Sequence, residues 1–163
     1  MAPICRRTLA LASLLGLSLL FTPPLRALGP VTPVPPGPKD KCAVCGMFVA
    51  PYPQWTAEIV FTDGTCAVFD GPKDLFKFSL DIGKYRHGSS AKDVAGIFVT
   101  EYYTTEMVSA KDLFFVAGSD VLGPMGAELI PVRGVNEAQT FMRDHLGKKL
   151  LKFGDITGAD IPR

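Results

Sequence analysis

The sequence predicts an α+β domain: two ββαβ units around a mainly antiparallel β-sheet, with helices packed on it. Three observations lead there. Short segments with strand periodicity outnumber the helical ones, a hairpin signal joins the first two, and the order strand, strand, helix, strand occurs twice. The units cover roughly residues 41–103 and 112–155, and neither has three strands long enough to be stable alone. We therefore expect them to share a sheet and bury each other's apolar faces.

Residues 1–27 have the order of a secretory signal peptide. Arg6 and Arg7 precede an apolar run over residues 9–21, and a small residue, Ala27, follows at the expected cleavage position. The run is shorter than the roughly 20 residues that span a bilayer. We expect an exported, periplasmic protein, cleaved near Ala27, without a membrane span.

Residues 28–40 are predicted to be a spacer, and residues 41–163 the folded domain. The spacer is rich in proline, which favours extended polyproline geometry over packing. Removing the signal peptide leaves 14 of the 17 basic residues against 16 acidic ones, a charge of about −2. This balance, without a basic cluster, argues against a nucleic-acid partner.

The first unit begins with alternating apolar and polar residues over 55–62, the pattern of a half-buried strand. Asp63 and Gly64 are a hairpin signal, and residues 65–69 return as the second strand. Asp70 is a candidate helix cap, and the helix should end by Gly83. A third strand is expected over residues 95–103, because β-branched and aromatic residues dominate there.

The second unit repeats this order. Strands are predicted over residues 113–117 and 128–132, with a turn over 123–126 between them. Asn136 is the candidate cap of a helix that should end at Gly147, and residues 149–153 form the closing strand.

Two cysteines and a methionine, Cys42, Cys45 and Met47, lie within six residues between proline-rich segments. Thiolate and thioether together favour Cu(I), whereas zinc sites combine thiolates with imidazole or carboxylate. Without Cys5 the chain keeps an odd number of cysteines, so they cannot form a complete disulfide framework. A thioredoxin-like redox pair would lie at a helix N-terminus after a strand, and a zinc ribbon would need a second Cys pair.

Met125 is a further candidate ligand, because it stands in a turn between Pro124 and Gly126, where neither a helix nor a strand gives it a core position. The remaining candidates are interpreted as structural: Met107 in a loop, Met142 on a helix face, Cys66 buried in a strand, and the isolated His87 and His145.

The segments around Cys45-Gly46-Met47 and Gly123-Pro124-Met125-Gly126 resemble, in this order, the two signatures of the NosL family of nitrous oxide reductase accessory proteins. The resemblance covers most of residues 40–155. It implies a periplasmic Cu(I)-binding protein of two ββαβ units that supplies copper to nitrous oxide reductase, with Cys45, Met47 and Met125 as ligands. Cys42 is additional to the family pattern. Many members are lipoproteins, but this chain lacks a lipid-acceptor cysteine after the apolar run.

The sequence contains no helical zinc-protease motif, nucleophile elbow or phosphate loop, which argues against an enzyme. We therefore predict a metallochaperone with Cu(I) as its cargo and a copper enzyme as its partner. Two alternatives stay open: a periplasmic thiol-disulfide module that uses Cys42 and Cys45, and a copper-binding protein without a delivery role.

Overall fold

The structure is a computed structural model that describes residues 31–163, so the predicted signal peptide lies outside the described residues. The first half of the described chain contains Ala57–Phe61 (β1), Cys66–Phe69 (β2), Pro72–Leu80 (α1), Ile82–Tyr85 (α2), Val94–Thr100 (β3) and Met107–Ser109 (β4). The second half contains Phe114–Gly123 (β5), Gly126–Val132 (β6), Val135–Asp144 (α3) and Lys149–Lys152 (β7).

The strands form two separate sheets, with the orders β2-β1-β3-β4 and β6-β5-β7. Every strand pair in these sheets is antiparallel. The predicted α+β class and the order strand, strand, helix, strand in each half are therefore confirmed. The expectation that both halves share one sheet is wrong, because no strand of the first half pairs with a strand of the second within residues 31–163.

The two halves meet through α1 instead of through strand edges. Phe76 of α1 packs edge-on against Phe115 of β5, with ring centroids 4.9 Å apart, and lies 5.2 Å from the ring of Phe153. Leu75 and Leu129 are fully buried in the same apolar cluster. These side chains are buried by packing between the apolar faces of the two units, which does not need strand pairing between the two sheets. The units therefore cover each other as expected, although their sheets are separate.

Neither long helix begins at the predicted cap: the N-cap of α1 is one residue away and that of α3 is two residues away. The N-cap of α1 is Gly71, not Asp70, and that of α3 is Gly134, not Asn136; neither glycine has a side chain to cap the helix. For α1 a carboxylate from the second half replaces the cap, since Glu128 accepts a hydrogen bond from the Lys73 backbone N–H at 2.8 Å. Asp70 therefore does not cap α1, and its carboxylate accepts a hydrogen bond from Cys45 instead.

The described part of the proline-rich segment packs against the first sheet, contrary to the expectation of an unpacked spacer. The backbone N–H of Val34 donates to the carboxylate of Glu58, which is fully buried in β1, at 2.9 Å. Pro33 and Pro36 line a small cavity together with Thr56. The buried carboxylate needs a donor, and this segment supplies one.

Within residues 31–163, no helix has both the length and the apolar character needed to cross a bilayer.

Candidate metal centre

The cysteine motif folds into a tight turn. The backbone N–H of Cys42 donates to the carbonyl of Met47 at 2.7 Å, and that of Gly46 donates to the carbonyl of Cys42 at 3.0 Å. Gly46 has φ +78°, a left-handed conformation that residues with a Cβ rarely adopt. The turn precedes β1 and is not a helix N-terminus, so the pair lacks the setting of a thioredoxin-like redox centre.

The two thiols lie in different environments. Cys42 is buried, with 3% of its surface exposed, whereas Cys45 is exposed. Burial raises the pKa of the Cys42 thiol well above its usual range, and the nearby Asp70 carboxylate adds to the shift. Desolvation also raises the pKa of Cys45. Both groups are therefore thiols at neutral pH until a cation displaces their protons.

Two aspartates complete a cluster with these thiols. The Sγ of Cys42 donates to Asp74 Oδ2 at 3.4 Å, and the Sγ of Cys45 donates to Asp70 Oδ1 at 3.3 Å. One donor atom from each of the four residues lies within 4.8 Å of all the others. Asp74 also accepts from the Nζ of Lys77 at 2.8 Å. The four side chains thus offer two sulfur and two oxygen atoms that could coordinate one metal ion.

The sequence pattern does not mark either aspartate as a candidate ligand. Asp70 was interpreted as a helix cap, and Asp74 was not singled out. The signal that could have identified them is their position at the predicted helix start, where Asp70 directly precedes the N-cap Gly71 and Asp74 lies in the first turn of α1.

The predicted methionine ligands come from both halves of the chain. Met47 lies half-buried in the cysteine turn, and Met125 lies 47% exposed in the turn between β5 and β6. The carbonyl oxygen of Met125 accepts from the Nζ of Lys73 at 2.8 Å. Lys73 precedes Asp74, which contacts Cys42. The Met125 turn and the cysteine turn therefore both reach the N-terminal end of α1.

Glu128 of β6 fixes the second half to this end of α1. Its Oε2 accepts from the backbone N–H groups of Lys73 at 2.8 Å and Leu129 at 3.2 Å. A Cβ on Gly71 or Gly123 would lie 2.3 or 2.5 Å from the Glu128 side chain, so only glycine allows this approach. Burial raises the pKa of Glu128 to about 7. No local pattern in the sequence indicates this contact.

The remaining candidates lie outside the four-residue cluster. Met107 is in β4 and not in a loop, Met142 is half-buried on α3, and Cys66 is buried in β2. His87 is exposed, whereas His145 contacts Asp120 at 3.2 Å. In the described part of the chain, neither histidine joins the cluster.

The chain is similar to known proteins in sequence and in structure. The model of the NosL family matches residues 33–161. The chain is similar to the crystal structure of the copper chaperone NosL from Shewanella denitrificans, with a TM-score of 0.68 and 23% identity, over 80% of this chain and 98% of that chain. It is also similar to the solution NMR structure of the apo-NosL protein from Achromobacter cycloclastes, with a TM-score of 0.45 and 23% identity, over 64% and 87% of the two chains. Among curated proteins none matches. The Shewanella structure has the same fold.

Proposed function

This chain belongs to the NosL family, and we propose that it is an exported Cu(I)-binding chaperone that supplies copper for the maturation of nitrous oxide reductase or a related copper enzyme. The observation that carries the proposal is the meeting of two turns at one end of α1. One turn holds the exposed Cys45 and the half-buried Met47, and the other holds the exposed Met125. The similar Shewanella protein is itself a copper chaperone.

The proposed cargo ligands are Cys45, Met47 and Met125. Cu(I) prefers soft donors, and thiolate and thioether sulfurs are the softest that protein side chains offer. One thiolate and two thioethers balance the single charge of Cu(I), so the loaded site carries no net charge. Such a site needs no imidazole ligand.

The exposure of two of the three ligands suits delivery. Cys45 and Met125 face solvent, so a sulfur or nitrogen ligand of a recipient could approach the ion before the chaperone ligands leave. Copper would then pass by stepwise ligand exchange, without release to solvent. We propose a chaperone and not an enzyme, and the periplasm as its compartment, because residues 1–27 have the order of a signal peptide.

Competition for Cu(I) against a colourimetric chelator tests the binding step. The reduced protein should take one equivalent of Cu(I), Cys45→Ser should lose tight binding, and Met142→Leu, a matched change on α3, should bind as the wild type does. Equal damage from Cys42→Ser and Cys45→Ser would contradict the assignment and favour a dithiol function.

Delivery needs its own measurement. Copper-loaded protein is mixed with copper-free nitrous oxide reductase in the presence of excess chelator, and the copper content of the enzyme is measured after separation. We expect transfer from the wild-type protein and none when the chelator and Cu(I) are supplied alone. Equal copper uptake with and without the protein would rule out delivery to this enzyme.

A further inference from the structure

We propose that Lys73 is a positioning residue for copper binding: its ammonium group holds the turn over residues 123–126 so that the sulfur of Met125 is in place when the ion arrives. The inference rests on the proposed copper site and deepens it, because it names a group that acts on one ligand without touching the ion. The turn connects β5 to β6, and Met125 lies at its tip between the paired Gly123 and Gly126.

Lys73 is buried, with 4% of its surface exposed, although it lies in the first turn of α1. Lysine is rarely buried to this extent unless its ammonium group is paired, because moving a charge out of water is costly. Here the Nζ of Lys73 donates to the carbonyl oxygen of Met125 at 2.8 Å. The charge also acts on Glu128, where it opposes the rise in pKa that burial causes. The lysine is therefore held by a specific contact with the turn.

Lys73 joins the second half of the chain at two points. Its ammonium group contacts Met125, and its backbone N–H donates to Glu128 Oε2 at 2.8 Å, three residues further along the hairpin. One contact would let the hairpin rotate about it, whereas two contacts at different positions fix its orientation. Because the second contact comes from the backbone, a substitution at Lys73 removes the first contact alone.

Packing does not fix the turn. The Met125 side chain is 47% exposed, and a Cβ on Gly126 would meet no atom within 4 Å. Pro124 has no N–H to donate to a neighbouring element. A segment with few packed atoms opens at low cost in free energy unless hydrogen bonds hold it. The bond from Lys73 is such a restraint, and it acts on the backbone of the ligand itself.

This restraint matters because Met125 is the ligand that comes from a distant segment. Cys45 and Met47 lie in one turn, whereas Met125 belongs to the other half of the chain. A ligand that must be ordered during binding lowers the affinity, and fixing it beforehand avoids that cost. Groups that orient metal ligands from outside the coordination shell typically change the affinity by about 10- to 100-fold when they are mutated.

The positive charge of Lys73 makes its role testable by the sign of the effect. If Lys73 acted only through its charge, removing it would strengthen the binding of a cation, since like charges repel. Positioning predicts the opposite, namely that removal weakens the binding of Cu(I).

Competition for Cu(I) against a chelator measures this effect. Lys73→Leu removes the donor and the charge, and the Cu(I) affinity should fall by on the order of tenfold. Lys73→Arg keeps both, so it should recover most of the loss. Lys92→Leu removes an exposed lysine outside α1 and should bind as the wild type does.

A double-mutant cycle then shows whether Lys73 acts through Met125. When Lys73→Leu is added to Met125→Leu, it should cause little further loss of Cu(I) affinity, because the ligand that it positions is already absent. An equal loss in both backgrounds would overturn the inference, as would a folded Lys73→Leu that binds Cu(I) as tightly as the wild type or more tightly.

The order of the turn is measured without copper, by ¹⁵N relaxation of the backbone amides of Met125 and Gly126. Their order parameters should be about 0.85 in the wild type and below about 0.6 in Lys73→Leu. The amide of the buried Val116 in β5 is the internal control and should stay rigid. An equally ordered turn in both proteins would overturn the inference.

Thermal melts of the metal-free variants identify any that fails to fold. Lys73→Gln then replaces Lys73→Leu with the same expectations, because its amide nitrogen is one bond too short to reach the Met125 carbonyl. Failure of the wild-type protein to bind Cu(I) would contradict the proposed function, and the order of the metal-free turn would then decide separately whether Lys73 holds it.

Discussion

Cys42 and Cys45 lie three residues apart and have opposite exposure. Cys42 points inward and donates to the buried Asp74, whereas Cys45 faces solvent and donates to Asp70. Gly46 in its left-handed conformation lets the backbone reverse directly after Cys45. The exposed thiol is the one that we assign to the copper cargo.

This asymmetry predicts different reactivity. Iodoacetamide added to the reduced, metal-free protein should alkylate Cys45 on the order of tenfold or more faster than Cys42, because only Cys45 is accessible. Peptide mass spectrometry of samples quenched at intervals measures both rates. The same reaction in denaturant is the control, and there the two rates should converge. Equal rates in the folded protein would show that Cys42 is not protected.

At the residue scale the sequence indicates the proposed sulfur ligands but not the two aspartates of the cluster. The spacing of Cys42, Cys45 and Met47 is visible in six consecutive letters, and a methionine among turn residues is conspicuous. Asp70 and Asp74 are distant in sequence from the thiols and are two of many acidic residues. Their role depends on how α1 packs over the cysteine turn, which is a tertiary contact.

At the scale of elements, the hairpin of β5 and β6 carries Met125 to the start of α1. This placement predicts that copper stabilises the folded arrangement of both halves. At a hundredfold excess of Cu(I) over its dissociation constant, mass action should add about 2.7 kcal/mol to the free energy of unfolding. Met125→Leu should lose most of the resulting increase in melting temperature, with little change in the metal-free protein, because the Met125 side chain is exposed.

Differential scanning fluorimetry with and without Cu(I) measures this increase, and Met107→Leu, a matched change in β4, is the control. A full copper-dependent increase in Met125→Leu, together with its loss in Met107→Leu, would mean that the ligand has been assigned to the wrong methionine.

The contact between Glu128 and α1 predicts a pH-dependent stability. Burial raises the pKa of Glu128 from 4.5 to about 7, so the folded state keeps a proton that the unfolded state releases between these values. The stabilisation is therefore complete below about pH 4.5 and is lost as the pH rises towards 7, by up to roughly 3 kcal/mol. Glu58 should contribute in the same direction, because its pKa is also raised to about 7 by burial.

Urea unfolding at several pH values measures this slope. Glu128→Gln, which keeps an oxygen acceptor for the Lys73 N–H, should flatten the decline between about pH 4.5 and 7. Glu137→Gln on the exposed side of α3 should leave the decline unchanged. Parallel curves for the wild type and Glu128→Gln would contradict the role given to this carboxylate.

The order of elements could be predicted because it depends on local patterns. Alternation over residues 55–62 and the Asp63-Gly64 turn identify β1, β2 and their hairpin without reference to the rest of the chain. The short strand Met107–Ser109 was missed because its three residues are too few to display a period. The helix caps were misplaced by one residue for α1 and by two for α3. For α1 the reason is that a carboxylate from β6 replaces Asp70 as the cap.

At the scale of the whole molecule, the two ββαβ units form separate sheets joined by the apolar cluster around α1. Which strands share a sheet depends on contacts between distant segments, and the sequence pattern gives only the faces that must be buried. The prediction of mutual burial was therefore sound, while the prediction of a shared sheet was not. The same packing brings the turns of both units to one end of α1, where we propose that copper is held.

The central claim is that Cys45 and Met47 from one unit and Met125 from the other hold the Cu(I) ion. X-ray absorption at the copper edge, on Cu(I)-loaded protein whose methionines are replaced by selenomethionine, tests it most directly. Selenium and sulfur scatter differently, so thioether and thiolate ligands can be counted separately. The claim predicts two selenium neighbours and one sulfur neighbour, with one selenium lost in Met125→Leu. A copper shell without selenium, or one unchanged in Met125→Leu, would contradict it.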